Sequence, residues 1–534
     1  MSTFPASENT GLPGLRRYAG LLTVLTMGVV VFALPLVFPL GIARDYPNHL
    51  ARVFIQYSLG DDALLAENYA LEWRLIPDLA MDLFAAPFMG WLSPYVVGAL
   101  FNSLTLLLLF SAAVALQRRR AAAINLWALL PLALLFNEAL RWGFMNFLFA
   151  VGLALWAVYF WLMSETWSWR RRLAVFACAQ SVLFFAHLLG FLLCGYLILC
   201  LELLRVWRRR DLGLRENLLT FIRHMMQFAL PLVFFAYVLF GQAGVGDSQT
   251  FYGPLRAKAL AFLSPTSAQV VPAGPLVLLV ILVLLYGLLR RGEARLDSDL
   301  KPLLWAMAGL VIAMPNMVLG IWGLDFRFPF VGLLLLVAAV QPAASVLASR
   351  LVQVLLLSVV GTSLLAGGLQ MARNDAVQQE VRQALMKATP GGALLVAGDY
   401  DPACPGCSPA WIDFVHSGSL AAIERGMFVP LLFTATSLVE AAPARAALDV
   451  PQGWPVPRQA LEQGRDRVLA DPAGRHDPAH AYWNDWPRHF DYLLWLRSGT
   501  ATLDELGGLE RVATSEVFIL YRIIAPLPRG GSGR

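Results

Sequence analysis

Apolar stretches of roughly 20 residues, the length of a bilayer-crossing helix, recur along this chain and leave little sequence between them. They fall near residues 19–41, 87–116, 122–140, 144–163, 173–187, 188–206, 218–240, 274–290, 302–322, 329–348 and 351–371. At 58% hydrophobic and 14% charged residues, the chain lies well outside the range of soluble domains. The fold class expected is a polytopic α-helical membrane protein of about eleven transmembrane helices, or ten if 173–206 crosses only once. The first run is read as a retained anchor rather than a signal peptide. It is long for a signal core, and Pro35 and Pro39 lie near its end.

Charge placement sets the orientation. The formal charge is +5, but the basic residues punctuate the apolar runs instead of forming one face, which argues against a nucleic-acid partner. One set of alternate connections holds Arg16 and Arg17, Arg118 to Arg120, Arg170 to Arg172, the group from Arg205 to Arg223, Arg290 to Lys301, and Arg350. The other set holds scattered residues: Arg44, Arg52, Arg74, Arg141, Arg256, Lys258 and Arg327. Basic residues favour the cytoplasmic side, so the N-terminus is expected inside and the region after the eleventh span outside. The expected division is a membrane domain over 1–371, with a long first extracytoplasmic loop at about 42–86, and a soluble extracytoplasmic α/β domain over 372–534. Within the latter, 392–398, 490–496 and 515–523 read as strands, and 376–388 and 419–426 as helices. Cys404 and Cys407, spaced as Cys-Pro-Gly-Cys, are disulfide candidates in an oxidising compartment.

The first loop carries the strongest functional pattern. Pro47 suits a first helical turn and Gly60 a stop; between them Leu50, Val53, Phe54 and Tyr57 make an apolar stripe, with His49, Arg52 and Gln56 on another face. The spacing predicts a short amphipathic helix at the membrane surface. Asp45 stands immediately before it. Its plain reading is a solvated loop acid or helix-start residue; its functional reading is a base or metal ligand, with His49 as hydrogen-bonding partner and Arg52 as phosphate clamp.

Three further connections on the same side carry ionisable groups near membrane depth: Glu138 with Arg141, His187, and Asp325 with Arg327. Singly, each reads as a local ion pair, a structural histidine or an interfacial anchor. Together they suggest a polar cavity at one depth. The sequence carries no phosphate-binding P-loop, no nucleophile elbow and no HExxH or paired CxxC zinc pattern.

The layout resembles the GT-C superfamily of integral-membrane glycosyltransferases, which includes bacterial lipid-sugar arabinose transferases and protein O-mannosyltransferases. The resemblance rests on an acid at the end of the first span, the loop Asp45-Tyr46-Pro47-Asn48-His49-Leu50-Ala51-Arg52, about ten further spans and the C-terminal α/β region. It is also similar to bacterial membrane proteins with a G-F-x-N-F segment, here Gly143 to Phe147, and F-F-A-H, here Phe184 to His187. The resemblance implies a polyprenyl-phosphate-linked sugar donor, a glycan, lipid or protein acceptor, and transfer at the extracytoplasmic face of a bacterial inner membrane. Asp45 would be catalytic, and His49, Arg52, Glu138, Arg141, His187, Asp325 and Arg327 would bind substrate. Many relatives carry two adjacent acids in this loop, whereas Asp45 is followed by Tyr46, so a divalent metal cofactor stays open. The alternative is a non-enzymatic lipid or polysaccharide transporter or an envelope-assembly partner.

Overall fold

The computed structural model describes residues 13–119, 124–210, 213–241, 250–318, 321–401, 409–434, 437–449, 454–470 and 481–524. Cys404 and Cys407 lie outside them. Seven helices among the described residues are long and apolar enough to cross a membrane: Gly20–Val37, Pro94–Arg118, Met145–Met163, Leu188–Arg208, Arg215–Val238, Ala273–Arg290 and Arg350–Leu385. Their flanks expose large apolar side chains such as Leu22, Val29, Leu276, Val283, Leu351 and Val354. A water-soluble protein would bury these; a bilayer covers them. This is a polytopic helical membrane protein.

The remaining apolar runs form shorter helical pieces, and their residues say why. Pro131 interrupts 126–134, which winds as a 3-10 segment. Trp169–Ala186 opens on Arg170, Arg171 and Arg172, which dilute its apolar length. Lys301–Ala313 ends where Met314 turns to extended backbone just before Pro315. Pro329–Ala339 ends in a short strand, Val340–Pro342. At His187 the run 173–206 divides into two helices: the residue is extended, and its Nδ1 accepts from Leu189 N–H at 3.1 Å, capping the second helix. The central helices pack closely through small residues. A side chain at Gly190 would collide with Ala150, so that contact depends on glycine.

The C-terminal region builds a five-stranded sheet from β1 (Leu394–Gly398), β2 (Val456–Pro457), β3 (Tyr492–Leu496), β4 (Leu509–Thr514) and β5 (Phe518–Ile523). The order is β4-β5-β3-β1-β2, with β1 parallel to both β2 and β3 and the other pairs antiparallel. Strands β1 and β3 are buried at every residue, as the continuous apolar runs suggest. Strand β4 escaped the sequence reading because its residues, Leu-Glu-Arg-Val-Ala-Thr, are half exposed and include a bulge.

Two features join this sheet region to the helical bundle. Helix Arg350–Leu385 is continuous through residue 371, and its far end grips the chain just before Asp45. Asn374 Nδ2 donates to Gly41 O at 3.1 Å, and Gln378 Nε2 donates to Leu40 O at 2.9 Å and Ile42 O at 3.0 Å. The first loop also enters the C-terminal core: Ala51, Ile55, Leu65 and Tyr69 cluster with Leu395, Phe428 and Trp495. Tyr69–Leu71 adds a strand antiparallel to Val439–Ala441.

Candidate active site

Helix Tyr46–Ser58 forms where Pro47 predicts it, but both its faces are covered. Leu50 and Val53 are buried in the bundle core, Arg52 is buried against Asp82 of the same loop, and the Asn48 side of the helix meets the C-terminal region instead of water. There Asn48 Nδ2 donates to Leu431 O at 2.8 Å, and the Ser419 hydroxyl donates to Asn48 Oδ1. The helix is therefore clamped between two layers, and the residue at its start is fixed.

That residue is Asp45. It occupies the cap position without accepting a capping bond, so its carboxylate is free of the usual helix-start role. Its backbone N–H donates to Trp142 O at 3.1 Å. Gly143, at φ +77°, lies so close that a Cβ would sit 2.6 Å from Tyr46 N and 2.7 Å from Ala43 O. Only glycine allows the G-F-x-N-F turn to lie against the Asp45 backbone in that conformation.

The Asp45 carboxylate meets a ring of groups from distant segments. His416 Nε2, from the C-terminal region, stands 3.4 Å from Asp45 Oδ1. Burial pushes the Asp45 carboxyl up to about 7, with Arg327 and Arg44 pulling it down and Asp78 adding to the rise. Burial likewise drives the His416 imidazole down to about 3, so it is neutral. His49 is held well below its usual range by burial and then by Arg52, His187 and His416. Arg327 stacks over Phe144, 3.7 Å from its ring centre, and donates to Trp322 O at 2.9 Å.

Asp78, at φ +75°, forms the neighbouring wall. Its backbone carbonyl accepts from Asn146 Nδ2 at 2.9 Å, while Asn146 Oδ1 accepts from Met81 N–H at 2.9 Å. His187 Nε2 lies 3.8 Å from Asp78 Oδ1. Because His187 Nδ1 already accepts a backbone N–H, Nε2 carries the proton of the neutral ring and faces that carboxylate. Arg52 sits behind, completely buried, with NH2 2.8 Å from Asp82 Oδ2 and 3.4 Å from Asp78 O.

A second charge cluster abuts the first through Arg44. Its Nε donates to Asp413 Oδ1 at 2.8 Å, its NH1 lies 3.6 Å from Glu138 Oε1, and its guanidinium covers the Trp142 ring at 3.9 Å. Arg141 donates to both oxygens of Asp413, at 3.1 and 3.2 Å. Burial alone would raise the Asp413 carboxyl, but Arg44 and Arg141 hold it below its ordinary value. Glu138 accepts from Trp142 Nε1 at 2.9 Å and from the Ser267 hydroxyl. Asp325 turns away to accept from Asn316 Nδ2 at 2.9 Å.

Backbone strain marks the same place. Among the described residues, the non-glycine positions with positive φ are Arg44 (53°), Asp78 (75°) and Phe433 (60°). Arg44 and Asp78 flank Asp45, and the Phe433 ring packs 5.0 Å from His416 and 6.2 Å from His49. Such conformations cost of order 1–3 kcal/mol each and persist where surrounding structure imposes them.

Of the residues singled out in the sequence, Asp45, His49, His187 and Arg327 surround one centre. Arg52 supports it from behind, and Glu138 and Arg141 belong to the adjoining cluster. Sequence reasoning missed Arg44, Asp78, His416 and Asp413. Arg44 had its adjacency to Asp45 as a signal; the others had none. Asp61 and Asp62, the one adjacent pair of acids in the first loop, lie past the end of helix Tyr46–Ser58, where Asp62 caps helix Ala63–Asn68 by accepting from Leu64 and Leu65 N–H. Among the described residues, no group of three or more His, Cys, Asp or Glu side chains is arranged to hold a metal ion.

No family model and no curated protein sequence matches the chain. Solved structures do. The crystal structure of ArnT from Cupriavidus metallidurans bound to undecaprenyl phosphate superposes with a TM-score of 0.52 at 13% identity, covering 95% of this chain and 98% of that one. The apo form of the same protein gives 0.49 at the same identity and coverage. The chain shares the fold of the undecaprenyl-phosphate-bound structure. Near-complete coverage of both chains means that the shared fold includes both the helical bundle and the sheet region.

Proposed function

We propose that this protein is a glycosyltransferase that moves a sugar from a polyprenyl-phosphate donor to an acceptor hydroxyl at the extracytoplasmic face of a bacterial inner membrane. The observation that carries this reading is the buried Asp45–Arg327 centre, in a fold shared with a structure that holds undecaprenyl phosphate. Such a donor brings an apolar tail for the bundle, an anionic phosphate for a guanidinium and a hydroxylated sugar for polar side chains.

Asp45 takes the proton from the acceptor hydroxyl as that oxygen bonds to the anomeric carbon. The bond between that carbon and the phosphate oxygen breaks, and its electron pair leaves with the lipid phosphate. A carboxyl near 7 suits a base at neutral pH. Arg327, whose Nε is buried without a hydrogen-bond partner, stabilises the phosphate as its charge grows. His49 and His187 orient hydroxyls. Arg52, held by Asp82, fixes the Asp78 wall, while Glu138, Arg141 and Asp413 hold Arg44 and thereby the Asp45 backbone. Asp325 keeps the Arg327 segment in place through Asn316.

The test is mass spectrometry of lipid-linked sugars and envelope glycans in a deletion strain restored with wild-type or Asp45→Asn protein. Loss of one glycan residue with build-up of its donor, reversed by wild type alone, is the expected result. Unchanged glycans, or full rescue by the variant, would point to transport or assembly instead.

A further inference from the structure

We propose that His416 is a positioning residue for Asp45, so that the C-terminal region supplies part of the reacting centre rather than serving only as a lid or an acceptor platform. This deepens the glycosyltransferase reading and rests on it for the chemistry, but the pairing itself rests on geometry.

Three observations converge. His416 Nε2 lies 3.4 Å from Asp45 Oδ1, within reach of a hydrogen bond that substrate could tighten. His416 is 7% exposed, and its Nδ1 is buried without a hydrogen-bond partner, so the ring has one nitrogen on Asp45 and the other free for a ligand. The ring is also held in place: Phe433, at a positive φ, packs against it edge-on at 5.0 Å. A side chain serving only to fill the core would leave neither a nitrogen aimed at a buried carboxylate nor a second one unpaired.

The neutral imidazole offers Asp45 an N–H from Nε2 and presents Nδ1 as an acceptor for a hydroxyl. This arrangement stabilises the carboxylate form and fixes which oxygen faces the acceptor. The other ionisable groups around Asp45 are accounted for: Arg44 beside it in sequence, His49 on the following helix, Asp78 and His187 on the adjoining wall, and Arg327 across the site. Glu138, Arg141 and Asp413 stand behind Arg44. None of these reaches Asp45 through the C-terminal layer as His416 does.

The experiment follows Asp45 protonation in two ways in full-length protein in lipid nanodiscs. One is the pH dependence of sugar transfer. The other is the pH dependence of Asp45 labelling by dicyclohexylcarbodiimide, which attacks protonated buried carboxyls and is read by peptide mass spectrometry without any transfer assay. His416→Phe keeps the ring and its packing on Phe433 but removes the N–H. We expect both the acid limb of activity and the labelling midpoint to move up by about one pH unit, with kcat falling more than KM rises. His416→Gln, which keeps a donor, should show a smaller shift in the same direction; it carries the test alone if His416→Phe does not fold. Labelling profiles that superimpose on wild type overturn the proposal, as does an equal shift in both variants, the mark of altered packing. Wild-type protein that transfers no sugar, yet shows the graded labelling shift, sinks the transferase reading and leaves the Asp45–His416 pairing standing.

Discussion

Arg44 and Asp413 are joined twice: the Arg44 side chain donates to the Asp413 carboxylate at 2.8 Å, and the Arg44 backbone N–H donates to the Asp413 carbonyl at 2.9 Å. One residue precedes the first-loop helix and the other belongs to the C-terminal region, so this double tie fixes both layers around Asp45.

Asp413→Ala should therefore be costly. It takes the Asp413 carboxylate from buried Arg44 and partly exposed Arg141, leaving Arg44 only Glu138 at 3.6 Å, so the cost should approach that of a broken buried ion pair, about 3–5 kcal/mol. Thermal unfolding should show the loss, with Asp413→Asn less affected because it still accepts a hydrogen bond. A thermal midpoint unchanged by Asp413→Ala would show that the tie contributes nothing.

Gly143→Ala tests the turn beneath Asp45. The added methyl would overlap the backbone at Ala43 and Tyr46, at a φ that disfavours any side chain. Activity should fall at least ~10-fold, the effect of an ångström-scale misplacement. Gly287→Ala, where nothing lies within 4 Å, is the matched control and should leave activity intact. Equal activity in the two variants would remove Gly143 from the account.

The Asp45 carboxyl ties stability to pH. Its folded value of about 7 lies above the usual 3.8, so between these values the folded state holds a proton that the unfolded chain has released. The associated stability is complete below about pH 4 and is lost as pH rises through 7. Asp45→Asn is neutral throughout. It should raise the unfolding temperature at pH 8 relative to wild type, by more than at pH 5, while abolishing transfer. A difference of the same size at both pH values would place Asp45 in its ionised form throughout.

Arg327 couples charge to stacking over Phe144. Arg327→Lys keeps the charge but loses the flat guanidinium and its fork of donors. Both Arg327→Ala and Arg327→Lys should reduce kcat/KM, the former on the order of 10²-fold, with the donor's KM rising in each. A wild-type donor KM in Arg327→Ala would take the phosphate away from this residue.

The sequence by itself determined that the chain is helical and membrane-spanning, because apolar length is a local property and a bilayer reads it residue by residue. It also determined the first-loop helix, through Pro47 and the apolar spacing after it, and strands such as Leu394–Gly398, whose burial needs an unbroken apolar run. Local pattern singled out Asp45, His49, His187 and Arg327. Tertiary structure alone decided what they meet. His416, Asp413 and Asp78 sit in stretches whose own pattern is that of ordinary loops and turns; burial alone sets the state of His416, and burial with charges approaching from elsewhere sets those of Asp413 and Asp78. Strand Leu509–Thr514 was hidden for a related reason, since its partner strand and not its own composition holds it extended. Electrostatic energy depends on distance and on the water removed from between groups. Chain order records neither, so the site became visible only where the first loop and the C-terminal region close over the same carboxylate.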